Sequence, residues 1–154
     1  MGVDKDILNS CSDFMDGRFF IFTDSSEPKG GGAMTKTEAI NKINGKHGVN
    51  TLNKSNTHFA NLNSAKDVWW YDIPTSKAFL RDITCLHLLA YNPIENEIYH
   101  MNVPTRLFKE NRHQFVIRIE KSTISLELST RRYDFLKDVR PGCGGVTFQD
   151  FLQY

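Results

Sequence analysis

The stretch QFVIRIEKSTISLELS, residues 114–129, is the part of this 154-residue chain that most clearly decides the fold. Apolar residues alternate with polar ones on both sides of Lys121-Ser122, which is typical of two strands that each bury one face. A two-residue turn there would place Ile117 opposite Leu126 and bring the apolar residues of the hairpin to one face. Because Lys-Ser is not a favoured two-residue turn, a slightly longer loop is the alternative.

Strand signals continue upstream of this hairpin. Residues 68–73 are rich in aromatic and β-branched side chains and stop at Pro74, which predicts a strand. Residues 83–91 are nearly all apolar, which predicts a central strand buried on both faces, and residues 97–103 return as its hairpin partner. By contrast, residues 50–66 are rich in Asn and Ser and are predicted to form a long surface connection.

Short helices are expected between these strands. Thr35 and Glu38 match the Thr-x-x-Glu capping box, which predicts a helix N-terminus. Residues 106–112 and 130–139 show further helical spacing. The predicted fold class is therefore α+β, with a mainly antiparallel sheet of about five or six strands and short helices packed on it.

The sequence divides near Met34. Residues 1–33 form an acidic arm of net charge −3 with a Gly-rich joint, and residues 34–154 are predicted to be a single α+β domain of net charge +4. The apolar run at residues 19–22 would supply the sixth strand if the arm packs on the sheet. Pairing with a second copy instead would make the chain a homodimer.

Several classes of protein are disfavoured by composition. The chain has no stretch of about 20 apolar residues and no secretory pattern, so we expect a cytoplasmic protein that does not enter a membrane. Three cysteines without paired or metal-ligand spacing argue against a disulfide framework and a zinc site. The glycine runs at 30–32 and 142–145 match no phosphate-binding loop, so no cofactor is expected.

The basic surplus lies within residues 106–140, which carry nine basic and five acidic side chains. Such a surplus predicts a small non-enzymatic binding module with an acidic partner, and nucleic acid is favoured over protein. Basic side chains would neutralise phosphates while Trp69 or Trp70 stacks on a base. Alternation places these two residues on opposite faces of a strand, and packing of both in the core is favoured over stacking. The predicted nucleic-acid-binding residues are Arg106, Arg112, Arg118, Lys121, Arg131, Arg132, Trp69 and Trp70.

Two other functions compete with this prediction. A metal-dependent nuclease would use Asp72, Glu127 and a lysine, although the Glu-x-Lys spacing of such sites is absent. The second alternative function is a protein-interaction module, in which residues 1–29 dock at a groove or a sheet edge of the same chain or swap between two chains.

A metal site is a separate hypothesis. His87 and His100 could approach one another across a hairpin and bind a metal, but a hydrogen-bonded core His87 and a solvent-facing His100 are favoured.

Overall fold

The computed structural model describes residues 33–48, 51–79 and 83–154, which form an α+β fold around one mixed sheet. Nearly all of the acidic arm lies outside the described residues. The strand expected at residues 19–22, and the docked or swapped arrangement of the arm, therefore stay predictions.

Three helices and seven strands follow one another along the described chain. They are α1 (Lys36–His47), β1 (Thr57–Asn63), β2 (Val68–Pro74), α2 (Thr75–Phe79), β3 (Cys85–Asn92), β4 (Glu97–Pro104), α3 (Thr105–Glu110), β5 (Val116–Arg118), β6 (Thr123–Ser129) and β7 (Leu152–Gln153). The strand order is β5-β6-β2-β1-β3-β4-β7, and β1 and β3 form the single parallel pair in it. The expectation of a mainly antiparallel sheet is thus confirmed, with more strands than the five or six predicted.

Strand β1 lies inside the segment that the sequence predicted to be a surface connection. Its polar residues are accommodated by tertiary contacts, which composition does not reveal. Thr57 is fully buried opposite His87 of β3. The side chain of Asn61 accepts a hydrogen bond from the backbone N–H of Met34 and donates one to the Met34 carbonyl. These bonds tie β1 to the residues that precede α1.

The β5–β6 hairpin has a register two residues away from the predicted one. Ile117 pairs with Ile124 rather than Leu126, and a four-residue turn at 119–122 replaces the two-residue turn. Ser122 closes that turn with φ = 54°, and Ile119 points into solvent. Because a shift of two residues keeps every side chain on its face, alternation alone could not distinguish the two registers.

The helix predicted over 130–139 is mostly absent. A short 3₁₀ turn, Arg132–Asp134, takes its place, and Leu136 follows with φ = 62°. A left-handed backbone costs an L-residue about 1–2 kcal/mol, so it persists where the surroundings enforce it. Here Leu136 is fully buried, and its N–H donates to the Ser129 carbonyl.

Helix α1 begins at the predicted capping box. The Thr35 hydroxyl accepts from the N–H of Glu38 at 3.1 Å, and the Glu38 carboxylate accepts from the N–H of Thr35 at 2.9 Å. Within the described ranges, no helix is long and apolar enough to cross a membrane.

The sheet is covered unequally on its two faces. One face carries the main core, which includes Trp69, Leu88, Phe108, Leu126 and Phe148. On the other face, α1 packs over β1, β3 and β4 through a smaller core that contains Ile40, Ile43, Leu89 and Tyr91. Helix α1 does not extend over β2, β5 and β6, so this second face presents mostly polar side chains there.

Candidate functional site

A groove of about 330 Å³ lies on the sheet face beyond α1. We refer to it as the Trp70 groove. Its lining residues come from β1, the β1–β2 turn, β2, β5, β6 and the segment after β6. They are Asn63, Lys66, Val68, Trp70, Arg118, Glu127 and Arg140. Three cations, one carboxylate and one exposed aromatic ring therefore meet in one place.

Trp70 is held in a fixed position although 47% of it is exposed. It points away from the main core because the adjacent Trp69 points into that core. Its indole Nε1–H donates to the hydroxyl oxygen of Ser125 on β6 at 2.9 Å. An exposed aromatic ring that is already immobilised loses little conformational entropy when a planar ligand stacks on it.

Glu127 lies directly opposite Trp70 in the β2–β6 pairing and is 6% exposed. Its Oε2 forms ion pairs with Nζ of Lys66 at 3.4 Å and with Nη1 of Arg140 at 3.0 Å. A buried carboxylate needs such partners, because desolvation of an unpaired charge costs several kcal/mol. Glu127 thereby holds two cations at the groove.

The segment that follows Leu136 carries Arg140 back to β6. One carboxylate oxygen of Asp138 accepts from the N–H of Glu127 at 3.1 Å and from the N–H of Arg140 at 3.3 Å. The N–H of Val139 donates to the carbonyl of Glu127 at 2.8 Å. Arg140 is positioned by the backbone as well as by its ion pair.

Asp138 is almost completely buried beside this groove. Burial raises the pKa of its carboxyl group, and the neighbouring Glu127 raises it further, while the two backbone N–H donors oppose them. Its second oxygen, Oδ2, has no hydrogen-bond partner among the described residues. The interactions of Asp138 therefore serve to fix the backbone near Arg140.

Arg118 is the groove residue on β5. Its guanidinium forms ion pairs with Asp72 at 3.8 Å and Glu120 at 3.2 Å. All three side chains are partly or largely exposed, and such ion pairs contribute about 0–1 kcal/mol each. A ligand anion could replace either partner of Arg118 at small cost.

The other predicted binding residues do not reach this groove. Arg106 pairs with Glu110 along α3, Arg112 stacks on Phe79, and Arg131 donates to the hydroxyl of Tyr133. Lys121 and Arg132 are exposed elsewhere. Trp69 is fully buried, and its Nε1–H donates to the carbonyl of Tyr91 at 2.9 Å. Of the predicted set, the structure brings together Arg118 and Trp70.

Three polar groove residues were not predicted from the sequence. Arg140 lies within the basic region 106–140, so its charge was a signal, but its position was not. Asn63 lies at the end of β1, and Lys66 lies in the turn after it. Because β1 was predicted to be a loop, no sequence signal placed them beside Trp70.

The carboxylates of the nuclease alternative lie on this same face. Asp72 pairs with Ser125 in the β2–β6 ladder, so it is diagonal to Glu127 rather than opposite it. Each carboxylate is already paired with a cation, Asp72 with Arg118 and Glu127 with Arg140 and Lys66. Across the described ranges, no three His, Cys, Asp or Glu residues are arranged to hold a metal ion.

A pair of buried histidines lies under α1. Nδ1 of His87 is 2.9 Å from Nε2 of His100, so the predicted approach of the two rings occurs. The expectation of a solvent-facing His100 is wrong, because the end of α1 covers it and the ring of His47 lies 6.4 Å away. Burial, followed by the charges of His87 and His47, lowers the pKa of His100 to about 3. A neutral His100 ring that is hydrogen-bonded to His87 is the state that this environment stabilises.

Comparisons of the chain with models of protein families, with curated proteins and with solved structures found no match. The groove and its chemistry are therefore the basis for inferring a function.

Proposed function

We propose that this protein is a non-enzymatic module that binds single-stranded nucleic acid in the Trp70 groove. The observation that carries the proposal is one exposed indole, fixed by its hydrogen bond to Ser125, among three cationic side chains. Unpaired bases stack on aromatic side chains while Arg and Lys contact the phosphates. The groove supplies both kinds of contact on one sheet face.

The charge balance of the groove favours an anionic ligand. Lys66, Arg118 and Arg140 line it with the carboxylate of Glu127, while the two carboxylates that pair with Arg118, Asp72 and Glu120, lie outside the lining. Lys66 is more than half exposed, so it can turn from Glu127 towards a phosphate, and Arg140 then remains as the partner of the buried carboxylate. Arg140 can keep its bond to Glu127 through one nitrogen, because a guanidinium has five N–H donors.

The dimensions of the groove favour a single strand. A volume of about 330 Å³ is at the lower end of the range for small-ligand sites, so it suits one nucleotide. Stacking on Trp70 requires a base whose face is accessible, and bases inside a duplex already stack on their neighbours. A single strand that lays one base on Trp70 satisfies both conditions.

Replacing Trp70 with alanine tests the proposal. Base–aromatic stacking contributes about 1–3 kcal/mol per base, so we expect W70A to weaken binding of a fluorescein-labelled 12-nucleotide strand by at least about fivefold. Fluorescence anisotropy at low salt measures the affinity. W70F keeps an aromatic face and should retain most of it. Absence of binding by the wild-type chain to both DNA and RNA strands would contradict the proposal.

Arg118 and Arg132 form a matched pair of charge variants, one inside the groove and one outside it. R118A removes a phosphate contact, so the slope of log affinity against log salt should become shallower by about 0.7, the value for one contact with a single strand. R132A removes the same charge and should leave the slope unchanged. Equal effects of both variants would show that binding depends on net charge and not on the groove.

A further inference from the structure

Glu127 lines the Trp70 groove with part of its hydrogen-bonding capacity unused. Its Oε2 accepts from Lys66 and Arg140, whereas its Oε1 accepts no hydrogen bond from any residue that the structure describes. A carboxylate offers about four lone-pair sites over its two oxygens. Oε1 is therefore available to a ligand in the groove, and a site on Oε2 becomes available when Lys66 turns away.

Glu127 and Trp70 are placed to contact the same base. Directly opposite residues of an antiparallel pair have Cβ atoms about 4.5–5.5 Å apart, and these two are paired in this way. The hydrogen bond from Trp70 to Ser125 prevents the indole from turning away. A base that stacks on the indole has its edge within reach of the Glu127 carboxylate.

Guanine is the base whose edge matches a carboxylate. Its Watson–Crick edge presents N1–H and the N2 amino group side by side, and two parallel N–H donors suit the two carboxylate oxygens. Adenine and cytosine each place one amino group beside a ring acceptor. Thymine and uracil place one N–H between two carbonyl oxygens, which repel a carboxylate.

We propose that the Trp70 groove prefers guanine, with Trp70 stacked on the base and Glu127 accepting from N1–H and from the N2 amino group. This inference rests on the proposed function of the same groove. Arg140 then has a second role, because it keeps the Glu127 carboxylate in place while Lys66 turns towards the phosphate and frees an acceptor site on Oε2 for the base. Arg118, at the other wall of the groove, contacts the phosphate.

A comparison of two strands that differ by one amino group tests the guanine preference with the wild-type chain. Two 12-nucleotide thymidine strands would carry one central guanine or one central hypoxanthine, which differs from guanine in lacking the N2 amino group. Loss of one of the two hydrogen bonds to the carboxylate should weaken binding by at least about fivefold. The guanine strand should therefore bind at least about fivefold more tightly than the hypoxanthine strand. Guanosine monophosphate and inosine monophosphate, titrated alone, should rank in the same order.

The outcomes separate the two proposals. Equal binding of the guanine and hypoxanthine strands would overturn the guanine preference and leave single-strand binding in place. Binding of guanosine monophosphate without binding of either strand would overturn single-strand binding and keep the guanine site. Binding of neither strand nor nucleotide would overturn both.

A variant of Glu127 tests whether its carboxylate is responsible for the guanine preference. E127Q replaces one acceptor oxygen by a donor, so the difference between the two strands should fall to within about twofold. E110Q is the matched control, because Glu110 is exposed and pairs with Arg106 along α3. A preference that persists in a folded E127Q protein would overturn the assignment. The comparison of the two strands by the wild-type chain does not depend on the folding of the variant.

Discussion

The variant W69A should unfold at much lower denaturant than the wild-type chain, with a loss of about 4 kcal/mol in the free energy of unfolding. Trp69 is completely buried in the main core. Its ring makes edge contacts with Tyr99 and Phe135, whose centroids lie 5.7 and 6.1 Å away. Alanine would leave a large cavity and would leave the carbonyl of Tyr91 without its indole donor.

Urea unfolding followed by far-UV circular dichroism measures this loss. The adjacent W70A variant is the control, because Trp70 is half exposed and its removal should cost less than about 1 kcal/mol. W69F keeps an aromatic ring and removes the N–H donor, so it should fall between them. A loss below about 1.5 kcal/mol for W69A would contradict the placement of Trp69 in the core.

The opposite directions of the two tryptophans were predictable from the sequence, but the exposure of Trp70 was not, because packing of both in the core was favoured. Alternation requires adjacent strand residues to point to opposite faces. The choice depends on what covers each face, and that is a tertiary property. The main core continues under the whole sheet, whereas α1 covers only β1, β3 and β4.

Local patterns predicted two of the five antiparallel pairs in the described sheet, β3–β4 and β5–β6, the second with a register two residues away. The hairpin of β3 and β4 was recognised because an apolar run, turn residues and a second strand follow one another in sequence. The parallel pairing of β1 with β3 has no such signal, because the chain makes β2 and α2 before it returns. The polar composition of β1 also prevented its prediction as a strand, since its polar side chains form hydrogen bonds with segments distant in sequence.

The missed strand also explains the incomplete prediction of the site. Lys66 reaches Glu127 because β1 and β2 form a hairpin whose turn lies beside the groove. Arg140 reaches Glu127 because the left-handed backbone of Leu136 redirects the chain along β6. Both contacts join residues far apart in sequence, so a count of basic residues over 106–140 could find the charge but not the geometry.

Acid should destabilise this fold, with roughly 2 kcal/mol lost per pH unit between about pH 6 and pH 4. Burial, with smaller contributions from the charges of Lys77 and Lys36, lowers the pKa of His58 to about 4. Burial and the neighbouring His87 and His47 lower the pKa of His100 to about 3. Each shift reflects a ring that the folded protein keeps neutral.

The direction of the effect follows from proton binding. In the unfolded chain these two histidines bind protons as the pH falls through about 6.5, whereas in the folded protein they stay neutral until about pH 4 and pH 3. The unfolded state therefore binds roughly 1.5 more protons within this window and is favoured by acid. Asp138 acts in the opposite direction, because its raised pKa lets the folded state bind a proton more readily.

The free energy of unfolding, measured from urea midpoints at intervals between pH 7.5 and pH 4.5, gives the slope directly. H100N removes one of the two groups and should reduce the slope by about half, even if it also lowers stability at pH 7.5. H113N changes an exposed histidine and should leave the slope unaltered. A free energy of unfolding that stays constant from pH 7 to pH 5 would show that both rings accept protons in the folded state. The buried, neutral arrangement of His100 under α1 and of His58 beside Lys77 would then be wrong.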